Sequence, residues 1–176
     1  MKRIRFNNVQ LELVQGDIAD QPDCDAIVNA ANAQLRIGGG VAGAIHRKGD
    51  PELEQETRKF APISPGEAVI TSAPNLPNKF VIHCLGPVYG KDKPEDQLLK
   101  SCYLKALELA GENNVETIAF PAISTGAFGY PMKDAARIAF KTVKEISGDL
   151  KSVRVVRFVL FSASHYNLHL DILKEI

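Results

Sequence analysis

The sequence predicts an α/β fold, a mixed and mostly parallel sheet with helices on both sides. Three observations carry that prediction. Short β-rich runs alternate with segments of helical period, the pattern of a sheet covered by helices. Some runs are almost continuously apolar, as strands buried on both faces are. The first two runs lie too close together for a crossover helix, so the sheet is not purely parallel.

The elements follow in order. "IRF" (4–6) and "LELVQ" (11–15), split by "NNVQ", read as a hairpin or two adjacent short strands. "AIVNAA" (26–31) is an apolar run suited to a fully covered strand. Three glycines precede a short helix at 41–48, and "PELEQETRKF" (51–60) starts a second with Pro in its first turn. "EAVIT" (67–71) and "KFVIHCL" (79–85) are strands. In 94–114, Leu98, Leu99, Cys102, Leu104 or Ala106, and Leu109 recur at helical spacing, with Gly111 near the end. "TIAFPAI" (117–123) and "VRVVRFVLF" (153–161) are strands, and between them 131–147 repeats the helical pattern through Ala135, Ile138, Ala139, Val143 and Ile146. The tail, 164–176, reads as a closing helix started by Ser164.

A chain of 176 residues, 45% of them hydrophobic, suits one domain with a sizeable core, so residues 1–176 are read as one unit. Lys plus Arg is 21 and Asp plus Glu is 21, a balance that speaks against a nucleic-acid reader. Cys24, Cys84 and Cys102 are far apart and form no CxxC pair. Reduced, buried thiols in a cytoplasmic protein fit them better than a disulfide framework or a zinc site. "MKRIRFNNVQ" is too polar for a signal peptide, and no apolar stretch approaches the ~20 residues that cross a bilayer. No metal and no cofactor is expected. His165 and His169 are four apart but lack a third ligand.

Ligands of α/β sheets bind at the carboxyl ends of strands. Three loops leave such ends with unusual composition: "GDIAD", "NAQLRIGGGVAG" and "STGAFGYP". Two are Gly-rich and open into helices, where backbone N–H groups bind phosphate. Together they could hold a diphosphate, although neither is a Walker loop or a GxGxxG fingerprint. The alternative is that the glycines only serve tight turns.

"GDI", "AIVNAAN", "GGGVAGAI", "GEAVIT", "FVIHCLGP" and "FPAISTGAFGYP" occur in that order over residues 10 to 165. Combined, they resemble the macrodomain family. The resemblance implies a three-layer α/β/α sandwich that binds ADP-ribose. It implies that Asp17 accepts a hydrogen bond from the exocyclic amino group of adenine, with Ile18 offering a backbone N–H to the base. A carboxylate only accepts, so it discriminates against guanine, and the alternative for Asp17 is a turn or cap residue. Phe161 matches an aromatic placed against adenine, or it is a core residue capping a strand. Gly38, Gly39, Gly40 and Val41 would line one side of the diphosphate and distal ribose, and Ser124, Thr125, Gly126, Ala127 and Phe128 the other. Phe128 would pack on the distal ribose or serve as a lid. Asn32 matches the residue that hydrogen-bonds that ribose, the alternative being a turn former, while Asn29 is expected to hold its loop through the backbone.

The resemblance also implies an enzyme question. The hydrolytic branch removes mono-ADP-ribose from acidic side chains, and relatives cleave ADP-ribose 1″-phosphate or O-acetyl-ADP-ribose. MacroD-type members carry an Asp where this chain has Ala42. Some viral and archaeal members also read "GGGVA" and are similar to hydrolases without that Asp. Asn32, Gly40, His46 and Phe128 are therefore the candidate catalytic residues. His46, four after Ala42, would share its helix face as a general base, or it lies on a partly exposed face without a role. His83 reads as a core residue. Three functions stay open: a hydrolase, an ADP-ribose reader, and a structural domain with an altered cleft. The expected partners are ADP-ribose and mono-ADP-ribosylated proteins, with no membrane or nucleic acid, and the chain is expected to be a monomer by analogy.

Overall fold

The computed structural model describes residues 1–176. Two strands open the chain, β1 (Lys2–Phe6) and β2 (Val9–Gln15), turning at Asn7, whose φ is 51°. Asparagine tolerates that left-handed region better than most residues with a Cβ. Then come β3 (Ala26–Ala30), α1 (Gly40–Gly49), α2 (Glu52–Thr57), β4 (Ala68–Ser72) and β5 (Phe80–Cys84). The second half holds α3 (Glu95–Glu112), β6 (Thr117–Phe120), α4 (Met132–Ile146), β7 (Val155–Leu160) and α5 (Ala163–Leu173).

The strands form one seven-stranded sheet in the order β1-β2-β7-β6-β3-β5-β4. The five inner strands are parallel, and β1 and β4 pair antiparallel at the edges. α1 and α2 pack on one face, with α3, α4 and α5 on the other. The chain is thus the expected α/β/α sandwich. Alternation along the inner strands divides the core. On β3, Val28 points into the large cluster under α3–α5, and Ile27 into the smaller one under α1 and α2. On β6, Phe120 and Ala119 divide the same way.

The large cluster centres on Tyr103, Phe120, Phe140 and Phe158. Phe140 meets Phe158 edge-on at 5.1 Å between centroids, and Phe120 stacks on Phe158 at 5.7 Å.

Some element ends differ from the sequence expectation. α3 runs through Gly111, and Asn114, with φ 56°, turns the chain after it. Its inward face is Leu99, Cys102, Tyr103, Ala106, Leu107 and Ala110, while Leu98 and Leu109 are half-buried on its flanks. α5 is capped by Ser162 rather than Ser164, since the Ser162 hydroxyl accepts from the His165 N–H at 3.2 Å. α2 is shorter than the pattern, ending at Thr57. The Thr57 hydroxyl donates to the carbonyls of Glu54 and Leu35, which ties α2 to the loop after β3. No helix is long and apolar enough to cross a membrane.

Replacing Phe158 by Ala empties the centre of the aromatic cluster. Urea unfolding is expected to show a loss of about 3–5 kcal/mol, the range for a buried aromatic truncated to Ala.

Candidate functional site

β3 and β6 are neighbours, but the chain leaves them in opposite directions. From β3 it builds outward to β5 and β4, and from β6 to β7. The loops leaving their carboxyl ends therefore diverge and open a crevice, as at other switch points of α/β sheets. The crevice encloses a cavity of about 270 Å³. Asn32, Gly38, Gly39, Gly40 and Val41 line one wall, and Ser124, Gly126, Ala127 and Phe128 the other.

The glycine wall is the N-terminus of α1. Gly39 is its cap, no side chain caps it, and no acidic residue lies in its first turn. The first-turn N–H groups are consequently free to meet an anion. On the opposite wall the N–H groups of Gly126, Ala127 and Phe128 donate to nothing within the chain. Two sets of backbone donors thus face one cavity that no ionisable side chain lines. The glycines have separate reasons. Gly40 has φ 54°, which a side chain would strain. A Cβ at Gly38 would lie 3.2 Å from Asn32 Nδ2, and one at Gly43 would press 2.5 Å from the Gly38 carbonyl oxygen. Gly39 and Gly126 have open space where a Cβ would go.

Both loops are held from beneath. The Asn32 amide closes on the Arg36 backbone, accepting from its N–H at 3.0 Å and donating to its carbonyl at 2.8 Å. It therefore does form the turn, and each end of the amide retains a second hydrogen-bonding capacity toward the cavity. Leu35, wholly buried, sits at φ 55°, an uncommon conformation for a bulky residue that its burial and the Thr57 bond enforce. Ser124 is left-handed as well, with φ 68°, and its buried hydroxyl has no partner. Gly86, at the end of "FVIHCLG", passes directly behind it. A Cβ on Gly86 would collide with Ser124 Oγ and the Ile123 side chain. Sequence reasoning passed over Gly86 as a site residue, although it follows a strand end beside the other two loops.

The remaining candidates lie elsewhere. Thr125 turns inward, its hydroxyl donating to the Ala122 carbonyl at 2.7 Å. Asp17, Ile18 and Phe161 are outside the cavity but adjacent to one another, because β2 and β7 pair in parallel with Gln15 opposite Leu160. Asp17 is exposed, and its Oδ1 accepts from the Ala19 N–H at 2.8 Å. It is thus a turn former with carboxylate left to offer. The Ile18 side chain is buried, whereas Phe161 is 80% exposed and is no core residue.

His46 does not reach the cavity. Ala42 lines it, but one turn later the His46 ring is wholly buried, with Nδ1 2.8 Å from Asp50 Oδ1 and Nε2 unpartnered. It is therefore neither a partly exposed surface residue nor in contact with the cleft. Asn29 also departs from expectation. Its side chain does not brace a loop but lies 3.1 Å from His83 Nδ1, and Thr71 Oγ1 is 3.0 Å from His83 Nε2. Burial, aided by nearby His46, pushes the His83 pKa from 6.5 down to about 3. The three cysteines are buried and free, and no group of three or more His, Cys, Asp or Glu side chains is placed to hold a metal ion.

A three-layer sandwich with an anion-suited cleft at its switch point defines the class, and comparison with known proteins narrows it. The Macro domain family pattern matches residues 28–139. A Macro domain-containing protein of Caldanaerobacter subterraneus subsp. tengcongensis is 47% identical over 173 residues, covering 95% of this chain and 97% of the relative. The solved structure of the Oceanobacillus iheyensis macrodomain with ADP superposes with a TM-score of 0.92 at 40% identity, covering 99% of this chain and 95% of that one. The Trypanosoma brucei macrodomain in complex with ADP-ribose gives a TM-score of 0.85 at 35% identity, over 93% and 68%. The chain belongs to the Macro domain family.

Two predictions follow from the supports of the cleft. Gly86→Ala should displace Ser124 and lower the melting temperature, while the far-UV circular dichroism of the folded protein stays unchanged. His83 stays neutral when folded but takes up a proton below pH 6.5 when unfolded, so its contribution to stability is complete above that pH and is lost as pH falls toward 3. Urea unfolding at pH 7 and pH 5 should find the loss on acidification smaller by about 2 kcal/mol in His83→Gln than in the natural protein.

Proposed function

We propose that this chain binds ADP-ribose across the sheet's carboxyl edge and hydrolyses esters at the distal ribose. The substrates would be mono-ADP-ribose on acidic side chains or related 1″-esters, ADP-ribose 1″-phosphate and O-acetyl-ADP-ribose. The observation that carries the reading is the pair of free backbone-amide sets facing each other across one cavity. A diphosphate between them meets donors from both sides, and glycine lets the backbone come that close. The relatives solved with ADP and with ADP-ribose support the same occupant.

In this reading adenine lies over Phe161, with its amino group at Asp17 and a ring nitrogen at the Ile18 N–H. The distal ribose lies between Asn32, Gly40 and Phe128. Because no ionisable side chain lines the cavity, the protein supplies no general base there. A water held against the diphosphate attacks the anomeric carbon. The carbon–oxygen bond to the leaving carboxylate breaks with its electron pair on that oxygen, and the water's proton passes to a diphosphate oxygen. Asn32 and Phe128 fix the sugar for that attack, and the backbone donors hold the charge of the diphosphate.

Ala42 favours a second reading, a module that binds ADP-ribose without cleaving it. Incubation with a protein carrying ester-linked mono-ADP-ribose separates the two. Hydrolysis predicts release of ADP-ribose that falls at least a hundredfold in Asn32→Ala, with binding weakened far less. Tight binding without release makes the chain a reader. If water placement limits turnover, Ala42→Asp should raise the release rate and leave ADP-ribose affinity within a few-fold, as single-turnover kinetics would measure.

A further inference from the structure

A connected side-chain network lies outside the cavity, under the loop that carries Asp17. Arg157 on β7 and Glu12 on β2 are register partners, so their side chains leave the sheet on the same face. Arg157 Nε donates to Glu12 Oε2 at 2.8 Å, and its two terminal nitrogens grip Asp23 at 2.7 Å each. A further N–H of Arg157 donates to Gln21 Oε1 at 2.9 Å. Arg157 and Gln21 are 7% and 8% exposed and Glu12 is buried, so the clamp is anchored in the interior, with only its Asp23 arm at the surface.

The bond from Arg157 orients the Gln21 amide. Its oxygen must face the guanidinium, so its NH₂ faces the other way. There Gln21 Nε2 donates to the Asp17 carbonyl at 2.9 Å. Other side chains hold the same loop: Lys48 Nζ donates to the Ala19 carbonyl at 3.0 Å, and Asn78 Nδ2 to those of Gln21 and Cys24 at 2.8 Å each. Asp17 itself, exposed, is oriented only by its own turn bond to Ala19. The Asp17 carbonyl also accepts from the Asp20 N–H at 3.0 Å, and Gln21 is the one side chain that bonds it, so Gln21 shares with that local turn the setting of the Asp17 backbone.

We propose that Gln21, oriented by Arg157, is the positioning residue that determines base specificity by aiming the Asp17 carboxylate. The inference rests on the reading that Asp17 receives the adenine amino group. Gln21 touches no ligand and acts through the Asp17 backbone. A glutamate in its place keeps the pairing with Arg157 and almost the same volume. It has no proton to give, however, and sets two acceptors against each other at the Asp17 carbonyl.

The test measures ADP and inosine diphosphate by calorimetry, with the natural protein, Gln21→Glu and Gln21→Met. Inosine offers a carbonyl oxygen where adenine has its amino group, so an Asp17-read site binds it poorly. The expected result is that the natural protein prefers ADP by tenfold or more. In both variants ADP weakens about tenfold, inosine diphosphate changes less than twofold, and the preference collapses. Equal weakening of both nucleotides would make Gln21 merely structural and overturn the proposal, as would a preference retained in both variants. No preference in the natural protein would instead overturn the reading of Asp17, and this inference with it. Thermal melting of each variant keeps the comparison among folded proteins.

Discussion

The cleft depends on one topological constraint, that β3 and β6 lie side by side while their chains run to opposite edges of the sheet. Loops that diverge cannot pack on each other, so their backbones keep amide groups that nothing in the chain satisfies. Everything else at the site serves to hold those amides in place and to keep Cβ atoms out of the gap. Glycine does the second task at positions 38 to 40 and at 126. The first falls to Leu35 and Thr57, beneath one loop and out of reach of the cavity, and to Gly86, behind the other loop and itself part of the cavity lining.

Strain accompanies this arrangement. Leu35, Gly40 and Ser124 all sit at positive φ around the two loops. Two of the three have side chains, and such conformations persist only where the surroundings over-determine them. Leu35 is wholly buried, its N–H bonded to the Asn32 carbonyl and its own carbonyl to Thr57. Ser124 is fixed by the Tyr130 N–H, which donates to its carbonyl at 2.9 Å. The rigid walls mean that little ordering remains to be done on binding, which favours affinity for a ligand of the matching shape.

Much of the fold was legible because its strands alternate with helices and its glycines stand at strand ends. The walls of the cavity were legible for the same reason, since "GGGVAG" and "STGAFG" read as backbone made to approach a ligand. What periodicity could not convey was partnership across long separations. His46 sits at the right helical spacing from Ala42, yet packing turns its ring into the interior against Asp50. Asn29, within the strand "AIVNAA", is expected to hold the loop that follows, but its side-chain partner, His83, is on the neighbouring strand, in register with it. Arg157 is one of two arginines in the run "VRVVRFVLF" and nothing local marks it, since only the pairing of β2 with β7 brings Glu12, Gln21 and Asp23 around it. Helix ends were the other gap, because Asn114 and Ser162 do locally what Gly111 and Ser164 were expected to do.

The most direct test of the central claim is a titration of the isotopically labelled protein with ADP-ribose, followed through its backbone amide resonances. The account predicts saturable shifts concentrated at residues 38–42 and 126–128, the two facing walls, with a further group at 17–19. Absence of saturable shifts would contradict it. So would shifts confined to a different surface, such as the groove between Glu56, Phe60 and Phe80 on the other side of β4.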